Sequence, residues 1–324
     1  MTELLQLTTG GVVLGAMYGL IAVGYTMVYG IVQLINFAHG EIFMLGAFGA
    51  LFVYAWVPAL HEISLWLALP IMLAAGTVIS VVAAVAAERF AYRPLRGAPR
   101  LAPLITAIGL AIVLQQLIFL YAPLRELRDD RWETTVGAKQ PQLFPQLPGE
   151  ALQLGGVTVQ WADVLTLGFA VVAMLGLAYF VRRTRTGRAM QAAAQDPDIA
   201  RLMGIDVDKI IVIAFAIGGA LAAAAGLAHG LRYGQITFDM GFIAGLKAFT
   251  AAVLGGIGNV YGAMLGGIVL GVVESLAAGG LSYVDAVQQF GGGAWKDVWA
   301  FVVLILVLLI RPRGLLGERT GDRA

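Results

Sequence analysis

The sequence contains no cysteine and few charged residues for its length. Without a thiol, disulfide bonds and thiolate-bound metal sites are excluded, and the redox compartment cannot be inferred. Only 13% of the 324 residues are charged, whereas soluble domains carry about 25%. The net charge of +1 leaves no broad basic surface, which argues against a nucleic-acid partner. Because 59% of the residues are apolar, we predict an integral membrane protein.

Motifs of nucleotide hydrolysis and of common hydrolases are also missing. The sequence has no G-x-x-x-x-G-K-[ST] loop for ATP phosphates and no G-x-S-x-G nucleophile elbow. Its three histidines, His39, His61 and His229, lie far apart, with no H-E-x-x-H pair. We therefore expect no catalytic residue, no metal site, no cofactor and no enzymatic activity. An intramembrane enzyme is the alternative, although no residues can be named for it.

Long apolar runs define the organisation of the chain. A hydrocarbon core about 30 Å thick requires about 20 apolar residues in a helix. Runs of roughly this length occur at 8–30, 41–58, 65–87, 101–122, 161–181, 210–231, 242–280 and 296–311. The tract 242–280 is too long for one span, and its Gly-rich break at 255–259 predicts two segments, the first one short. We predict an all-α polytopic protein of the cell membrane, with about 8–10 embedded segments in one domain, residues 1–324.

Lysine and arginine placement predicts the orientation, because cytoplasmic loops are enriched in these residues. The segments 88–100 and 182–209 and the C-terminal tail are basic, and alternation of the spans puts them on one side. The N-terminus is therefore expected outside and the C-terminus inside, with 182–209 a cytoplasmic loop. The insert 124–160 has mixed charge and is expected to be extracytoplasmic. It is either a cap that contacts a partner or a variable hairpin. The start MTELLQL lacks a basic residue, so no cleaved signal peptide is expected.

Glycines recur at intervals of four within the predicted spans, as in Gly11, Gly15 and Gly19 and in Gly267 and Gly271. Small residues at this spacing allow helix backbones to approach closely in a bilayer. The pattern favours tight packing inside one bundle, with an interface between subunits as the alternative.

Polar residues within the spans are scarce. Lys247 and Glu274 lie in apolar surroundings, and a charge in hydrocarbon marks a functional site unless it reaches water at a segment end. We favour such a position near a segment end for both. His39 is expected to be a satisfied polar group at a helix turn, with a ligand role as the alternative. Because no cluster of ionisable groups is evident, an ion-driven carrier is disfavoured, and the energy for transport is expected from elsewhere.

The predicted cytoplasmic loop contains the signals of a short helix. Asp196 suits an N-cap, Pro197 suits a first helical turn, and Gly204 suits a C-cap, which predicts a helix over 198–203. Such a helix is able to dock into a groove of a partner. A folded connector without a partner fits the pattern equally well.

Three stretches resemble the permease subunits of branched-chain amino acid ABC importers of the LivH type. They are Gly19–Phe48, which contains NFAHGE, Gly187–Ile210 and Lys247–Ser275. The stretches follow the order found in the family, and with the intervening spans they cover nearly the whole chain. In one respect the chain departs from typical coupling segments, because Ala192-Ala193-Ala194 stands where Glu-Ala-Ala is usual.

This resemblance implies an ABC importer permease fold and a set of partners. The partners are a second, distinct permease, two cytoplasmic ATP-binding subunits that hydrolyse ATP, and an extracytoplasmic solute-binding protein. The residues that match the coupling segment are Asp196, Pro197, Ala200, Arg201 and Gly204. The residues that match the NFAHG signature, and that are assigned to the translocation path, are Asn36, Phe37, His39 and Gly40.

The implied solute is a branched-chain amino acid or a related small amino acid. Related permeases serve urea or short amides, which is the first alternative. A stand-alone secondary carrier or channel is the second, and transport by the purified chain alone would distinguish it from an importer subunit.

Overall fold

The computed structural model describes most of the chain. The described residues are 2–34, 36–99, 101–128, 131–154, 156–280, 292, 295–311 and 314–317. Four arginines of the basic segments from which the orientation is predicted lie outside the described residues: Arg100, Arg313, Arg319 and Arg323.

Twelve α-helices occur in the described part of the chain. They are α1 (Thr2–Val32), α2 (His39–Trp56), α3 (Ala59–Glu62), α4 (Leu65–Ala86), α5 (Leu101–Tyr121), α6 (Trp161–Arg183), α7 (Arg185–Gln195), α8 (Pro197–Leu202), α9 (Val207–Tyr233), α10 (Met240–Gly255), α11 (Val260–Gly280) and α12 (Lys296–Ile310). Seven of the described helices, α1, α2, α4, α5, α6, α9 and α11, are long and apolar enough to cross a membrane. With the shorter helices α10 and α12, they account for the nine apolar segments expected from the sequence. The prediction of a polytopic helical bundle is confirmed.

Helix α1 lies at the centre of the bundle, and α5 and α6 lie at its periphery. In the most apolar 18-residue window of α1, 89% of the residues are buried inside the protein, against 17% for α5 and for α6. All three helices are apolar along their length. In a bilayer, a helix face contacts either lipid or the protein interior, and both environments are apolar. Burial in this fold therefore follows from tertiary packing rather than from helix amphipathicity.

The glycines of α1 let it contact α11 backbone to backbone. A Cβ added to Gly15 would lie 2.5 Å from Cα of Ile268, and one added to Gly271 would lie 2.2 Å from N of Gly15. No larger side chain fits at such a distance. For these glycines, tight packing within one bundle is the arrangement found.

The Gly-rich break at 255–259 is a turn, as predicted. Helix α10 ends at Gly255, α11 begins at Val260, and both Gly256 and Gly258 have positive φ angles, of 106° and 97°. The tail returns to this turn: Leu315 N donates to Leu254 O at 2.8 Å, and Leu316 N donates to Gly255 O at 2.9 Å.

The insert 124–160 forms short strands that the all-α prediction did not include. Antiparallel pairs link β1 (Pro123–Arg128) with β2 (Arg131–Val136), β3 (Gln142–Leu143) with β6 (Gln235–Ile236), and β4 (Glu150–Leu154) with β5 (Val157–Gln160). The pairing of β3 with β6 attaches the insert to the connection between α9 and α10. The insert is therefore part of the folded domain.

Candidate functional site

The predicted coupling segment is built from α7 and α8. Thr184 caps α7, since its hydroxyl accepts a hydrogen bond from Gly187 N at 2.9 Å. Gly187, Met190 and Ala193 recur every three residues on α7 and are buried, so that one face of the helix rests on the bundle. The segment is thus held against the membrane helices rather than free in solution.

Asp196 and Gly204 delimit α8, as the sequence predicts. Oδ1 of Asp196 accepts hydrogen bonds from Asp198 N at 2.9 Å and from Ile199 N at 3.0 Å, which satisfies the free amides of the first turn. Pro197 occupies that first turn. Gly204 has φ of +83° and its N donates to Arg201 O at 3.0 Å, which closes the helix end. The helix predicted over 198–203 is therefore present, and it begins and ends one residue earlier, at Pro197 and Leu202.

The two sides of α8 differ in character. Ala200 is buried, and Arg201 pairs with Asp198 on the helix surface at 2.9 Å. Three apolar side chains project outward instead: Ile199, Leu202 and Met203 are 58%, 86% and 78% exposed. These three residues were not among the predicted site residues. Leu202 and Met203 lie three and four residues after Ile199, which is the spacing of one helix face. They form an exposed apolar ridge, called here the α8 ridge.

The signature residues Asn36, Phe37, His39 and Gly40 lie where α2 begins. Asn36 is 3% exposed, and its Oδ1 accepts a hydrogen bond from the Tyr92 hydroxyl at 2.6 Å. The ring centroid of Phe37 lies 5.8 Å from that of Phe249 on α10. The structure thus brings the signature into contact with two segments far away in sequence.

His39 fits between two glycines. A Cβ on Gly24 of α1 would lie 2.4 Å from its Nε2, and a Cβ on Gly218 of α9 would lie 3.2 Å from its Cε1. The ring is 2% exposed and contacts Tyr25, with centroids 4.8 Å apart. Its Nε2 has no hydrogen-bond partner among the described residues. The expectation of a fully satisfied polar group is therefore wrong at this atom.

The beginning of α2 also meets the beginning of α10. A Cβ on Gly40 would lie 2.2 Å from Gly241 O and 2.8 Å from Gly245 Cα. Glu41 is 1% exposed, and its Oε2 makes no hydrogen bond within the described structure. Two helices thus start next to each other inside the bundle, a contact that no periodic pattern of residues predicts.

One short segment contacts both the signature and the end of the predicted loop 182–209. Helix α4 continues into a π-helix, Ala87–Tyr92, and a 3₁₀ turn, Arg93–Leu95. Arg93 Nη2 and Arg96 Nη1 each lie 2.5 Å from a carboxylate oxygen of Asp208, and Arg96 also pairs with Glu88. Because Tyr92 reaches Asn36, this segment bridges the two groups of predicted site residues. We call it the π-segment, residues 87–96. A π-helical turn inside an α-helix frequently marks a functional site.

A second buried polar cluster lies around Lys247. Its Nζ lies 2.7 Å from Glu274 Oε1, 2.5 Å from Asp297 Oδ1 and 3.3 Å from the Tyr18 hydroxyl. Lys247 and Glu274 are 2% and 1% exposed. The expectation that both reach water near segment ends is wrong, because they neutralise each other inside the bundle. The expectation that the spans contain no cluster of ionisable groups is also wrong, because the fold brings Lys247, Glu274 and Asp297 together.

No group of three or more His, Asp or Glu side chains within the described ranges is arranged to hold a metal ion.

Comparison with known proteins identifies the family. The family model described as "Branched-chain amino acid transport system / permease component" matches residues 7–308. BraD, a high-affinity branched-chain amino acid transport permease of Pseudomonas aeruginosa, is 42% identical over 97% of this chain and 96% of its own length. LivH of Escherichia coli K12 is 42% identical with the same two coverages. A solved structure of PsaBC from Streptococcus pneumoniae aligns with a TM-score of 0.48 at 11% identity, over 94% of this chain and 91% of its own.

The family match covers the predicted coupling segment, the NFAHG signature and all or most of every long helix of the bundle. Seven helices long enough to span a bilayer agree with a multi-pass protein of the inner or plasma membrane. The family consists of membrane permease components, which are not themselves catalytic. The chain belongs to the family of branched-chain amino acid transport permeases.

Proposed function

We propose that this chain is a permease subunit of an ATP-driven importer and forms, with a second and distinct permease, the path for branched-chain amino acids. A solute-binding protein outside the membrane delivers the solute, and two cytoplasmic subunits bind and hydrolyse ATP. The observation that carries this proposal is the α8 ridge, an exposed apolar surface on a capped helix that the family match includes.

The proposed orientation has the N-terminus outside, the C-terminus and loop 182–209 in the cytoplasm, and the insert 124–160 outside. Two of the three basic segments meet at one end of the bundle, because Arg93 and Arg96 pair with Asp208. This contact supports the orientation, since the arginine-rich ends of a membrane protein belong on the cytoplasmic side.

The α8 ridge is the proposed contact with the ATP-binding subunit. Leu202 and Met203 expose most of their surface to solvent, an unfavourable arrangement unless a partner covers them. An amphipathic helix in a groove is a common mode of recognition. In this scheme Asp196, Pro197 and Gly204 set the helix ends, Ala200 faces the bundle, and Arg201 is held by Asp198.

The π-segment is the proposed link between α8 and the translocation path. A displacement of α8 acts on Asp208, six residues after α8, and Asp208 is held by Arg93 and Arg96. The same segment holds Asn36 through Tyr92. Asn36, Phe37, His39 and Gly40 are accordingly proposed to line or gate the path. Among the described residues, Nδ2 of Asn36 has no hydrogen-bond partner. This supports the role, because a buried amide without a partner is costly unless a ligand or water completes it.

The test is reconstitution with Leu202→Asp and Leu143→Asp as matched variants. The two leucines are almost equally exposed, at 86% and 85%, but Leu143 belongs to the insert. The permease pair should retain the ATP-binding subunits with Leu143→Asp and lose them with Leu202→Asp. Equal retention by both variants would remove the coupling role of α8.

A second measurement separates the importer from a stand-alone carrier. Liposomes that contain only this chain should take up no leucine under an ion gradient. Uptake should require both permeases, the ATP-binding subunits, ATP and the liganded binding protein. Gradient-driven uptake by the isolated chain would overturn the importer assignment.

A further inference from the structure

Four exposed arginines lie where α6 passes into α7. Arg182 and Arg183 belong to the last turn of α6, and Arg185 and Arg188 lie at the start of α7. None of the four forms an ion pair with an acidic side chain in the part of the chain that the structure describes. We call these four residues the arginine cluster.

The arginine cluster continues the lipid-facing side of α6. Val172, Leu175 and Tyr179 are strongly exposed, and their spacing of three and four residues places them on one helix face. Arg182 and Arg183 lie three and four residues after Tyr179, and they therefore extend the same face. Because α6 is a peripheral span with little of its surface buried, this face contacts lipid.

The length of α6 puts the cluster at the level of the lipid headgroups. The apolar part of the helix, residues 164–181, is about 27 Å long at a rise of about 1.5 Å per residue. This is close to the thickness of the hydrocarbon core, about 30 Å. Arg182 and Arg183 follow directly, so they lie where the hydrocarbon ends and the phosphates begin. Trp161 begins the helix at the opposite interface, a position typical of tryptophan.

Helix α7 turns its arginines away from the bundle. Gly187, Met190 and Ala193 form its buried face. With about 3.6 residues per turn, Arg185 and Arg188 fall on the opposite face of the helix. The second half of the cluster is therefore free to bind a group outside the bundle.

Tyr261 holds one member of the cluster in position. The guanidinium carbon of Arg182 lies 5.5 Å from the centre of the Tyr261 ring, at the start of α11. Such a cation–π contact orients the guanidinium without neutralising its charge. The cluster thus borders the gap between the ends of two spans, and basic groups in such gaps bind anionic lipid headgroups.

We propose that the arginine cluster binds the phosphate groups of anionic phospholipids. A guanidinium group presents paired donors that match two phosphate oxygens. Each arginine close to the surface is expected to enrich anionic lipid by up to about fivefold. A lipid bound here fixes the start of α7, and with it the first residues of the predicted coupling segment. The inference does not depend on the solute or on the importer assignment.

An acidic patch on an ATP-binding subunit is the competing occupant of the cluster. The lipid is favoured because Arg182 and Arg183 prolong the lipid-facing side of α6, whereas the proposed subunit contact is the α8 ridge.

The absence of native cysteine allows a direct measurement of the lipid next to the cluster. Leu175→Cys carries a single fluorophore on the lipid-facing side of α6. The full chain is placed in phosphatidylcholine vesicles that contain a small, fixed fraction of lipid with a nitroxide on its acyl chain. Nitroxide-labelled phosphatidylglycerol should be enriched several-fold at the fluorophore relative to nitroxide-labelled phosphatidylcholine, as measured by quenching. High salt should reduce the enrichment.

Matched variants in the Leu175→Cys background assign the preference to the cluster. Arg182→Gln, Arg183→Gln should lower the enrichment by about tenfold or abolish it, and Arg182→Lys, Arg183→Lys should retain most of it. Lys139→Gln, Lys209→Gln changes the net charge equally at two exposed residues outside the cluster and should leave the enrichment unchanged.

A second variant serves if Arg182→Gln, Arg183→Gln does not fold. Arg185→Gln, Arg188→Gln alters the exposed face of α7 and should also reduce the enrichment.

Three outcomes would overturn the proposal. The first is equal quenching by the two labelled lipids with the native arginines. The second is displacement of phosphatidylglycerol by millimolar inorganic phosphate at constant ionic strength, which would assign the cluster to a soluble anion. The third is release of the ATP-binding subunits by Arg182→Gln, Arg183→Gln with no change in lipid enrichment, which would assign it to a protein contact. Solute uptake is not measured here, so failure of this proposal leaves the proposed function untouched.

Discussion

Lys247 and Glu274 form an ion pair in the interior of the bundle, with Nζ 2.7 Å from Oε1 and side chains only 3% and 2% exposed. The pair joins α10 to α11, and Tyr18 and Asp297 extend it to α1 and α12. A buried ion pair adds little net stability compared with apolar residues of similar volume, yet breaking it leaves an uncompensated charge. The pair therefore specifies how four helices meet.

Removal of one partner is expected to be worse than removal of both. Lys247→Ala leaves the Glu274 carboxylate without its cation, which costs about 3–5 kcal/mol. The double variant Lys247→Met, Glu274→Leu removes both buried charges and should be markedly more stable than Lys247→Ala. Asp297 also loses its cation in both variants, but its side chain is 41% exposed and water can solvate it. Tm in detergent, followed by tryptophan fluorescence, measures both. A double variant as unstable as the single one would show that packing, and not charge, controls the cluster.

The hydroxyl of Tyr92 is expected to matter beyond the volume of its ring. Tyr92→Phe deletes the hydrogen bond to Asn36 and leaves a buried acceptor unpaired, at a cost of about 1–3 kcal/mol. We expect less solute transported per ATP hydrolysed, with the ATP-binding subunits still attached. Tyr179→Phe, at a residue that is 68% exposed on α6, is the control. A normal ratio with Tyr92→Phe would exclude this bond from the proposed link.

Neutralising Asp208 is expected to affect coupling more than stability. The carboxylate is 40% exposed, and ion pairs of this kind contribute about 0–1 kcal/mol. Asp208→Asn should therefore shift Tm only slightly while it weakens the hold of Arg93 and Arg96 and lowers transport per ATP. Asp208→Glu keeps the charge and should behave nearly as the wild type. If both substitutions transport normally, the π-segment does not carry the movement.

Gly204 is expected to be required for its backbone and not for its small size. A Cβ at this position would meet no atom of the described residues within 4 Å, so a larger residue does not clash with them. Its φ of +83° is nevertheless unfavourable for other residues, by about 1–2 kcal/mol, and worst for β-branched ones. Gly204→Val should uncouple ATP hydrolysis from transport, whereas Gly204→Asn should largely preserve coupling. Equal effects of Val and Asn would refute the backbone explanation.

Gly15 is expected to be required for its small size and not for its backbone. Its helical backbone conformation suits any residue, but the space between α1 and α11 admits no side chain. Gly15→Val places a side chain against the backbone of α11, 2.5 Å from Ile268 Cα, and should reduce the yield of folded protein and lower Tm. Gly176→Val on α6 is the matched control, because a Cβ there meets nothing within 4 Å in the part of the chain that the structure describes. Similar losses for both variants would mean that helix propensity, and not the close contact, is responsible.

Two kinds of feature could be predicted from sequence because their physical causes are local. The apolar segments followed from length and composition, since a spanning helix satisfies its own backbone hydrogen bonds and needs only enough apolar residues. The ends of α8 followed from Asp196, Pro197 and Gly204, each of which acts on its immediate neighbours. The strands of the insert were missed, because they are short and one of them, β3, pairs with β6, which lies outside the insert and far away in sequence.

The sequence by itself determined that this is a polytopic membrane protein with a capped helix between two of its spans. Only the tertiary structure decided which polar groups meet: Lys247 bonds Glu274 27 residues away, Tyr92 bonds Asn36 56 residues away, and Arg93 bonds Asp208 115 residues away. The physical reason is that these helices are apolar on all sides, so no periodic pattern states which face packs against which neighbour.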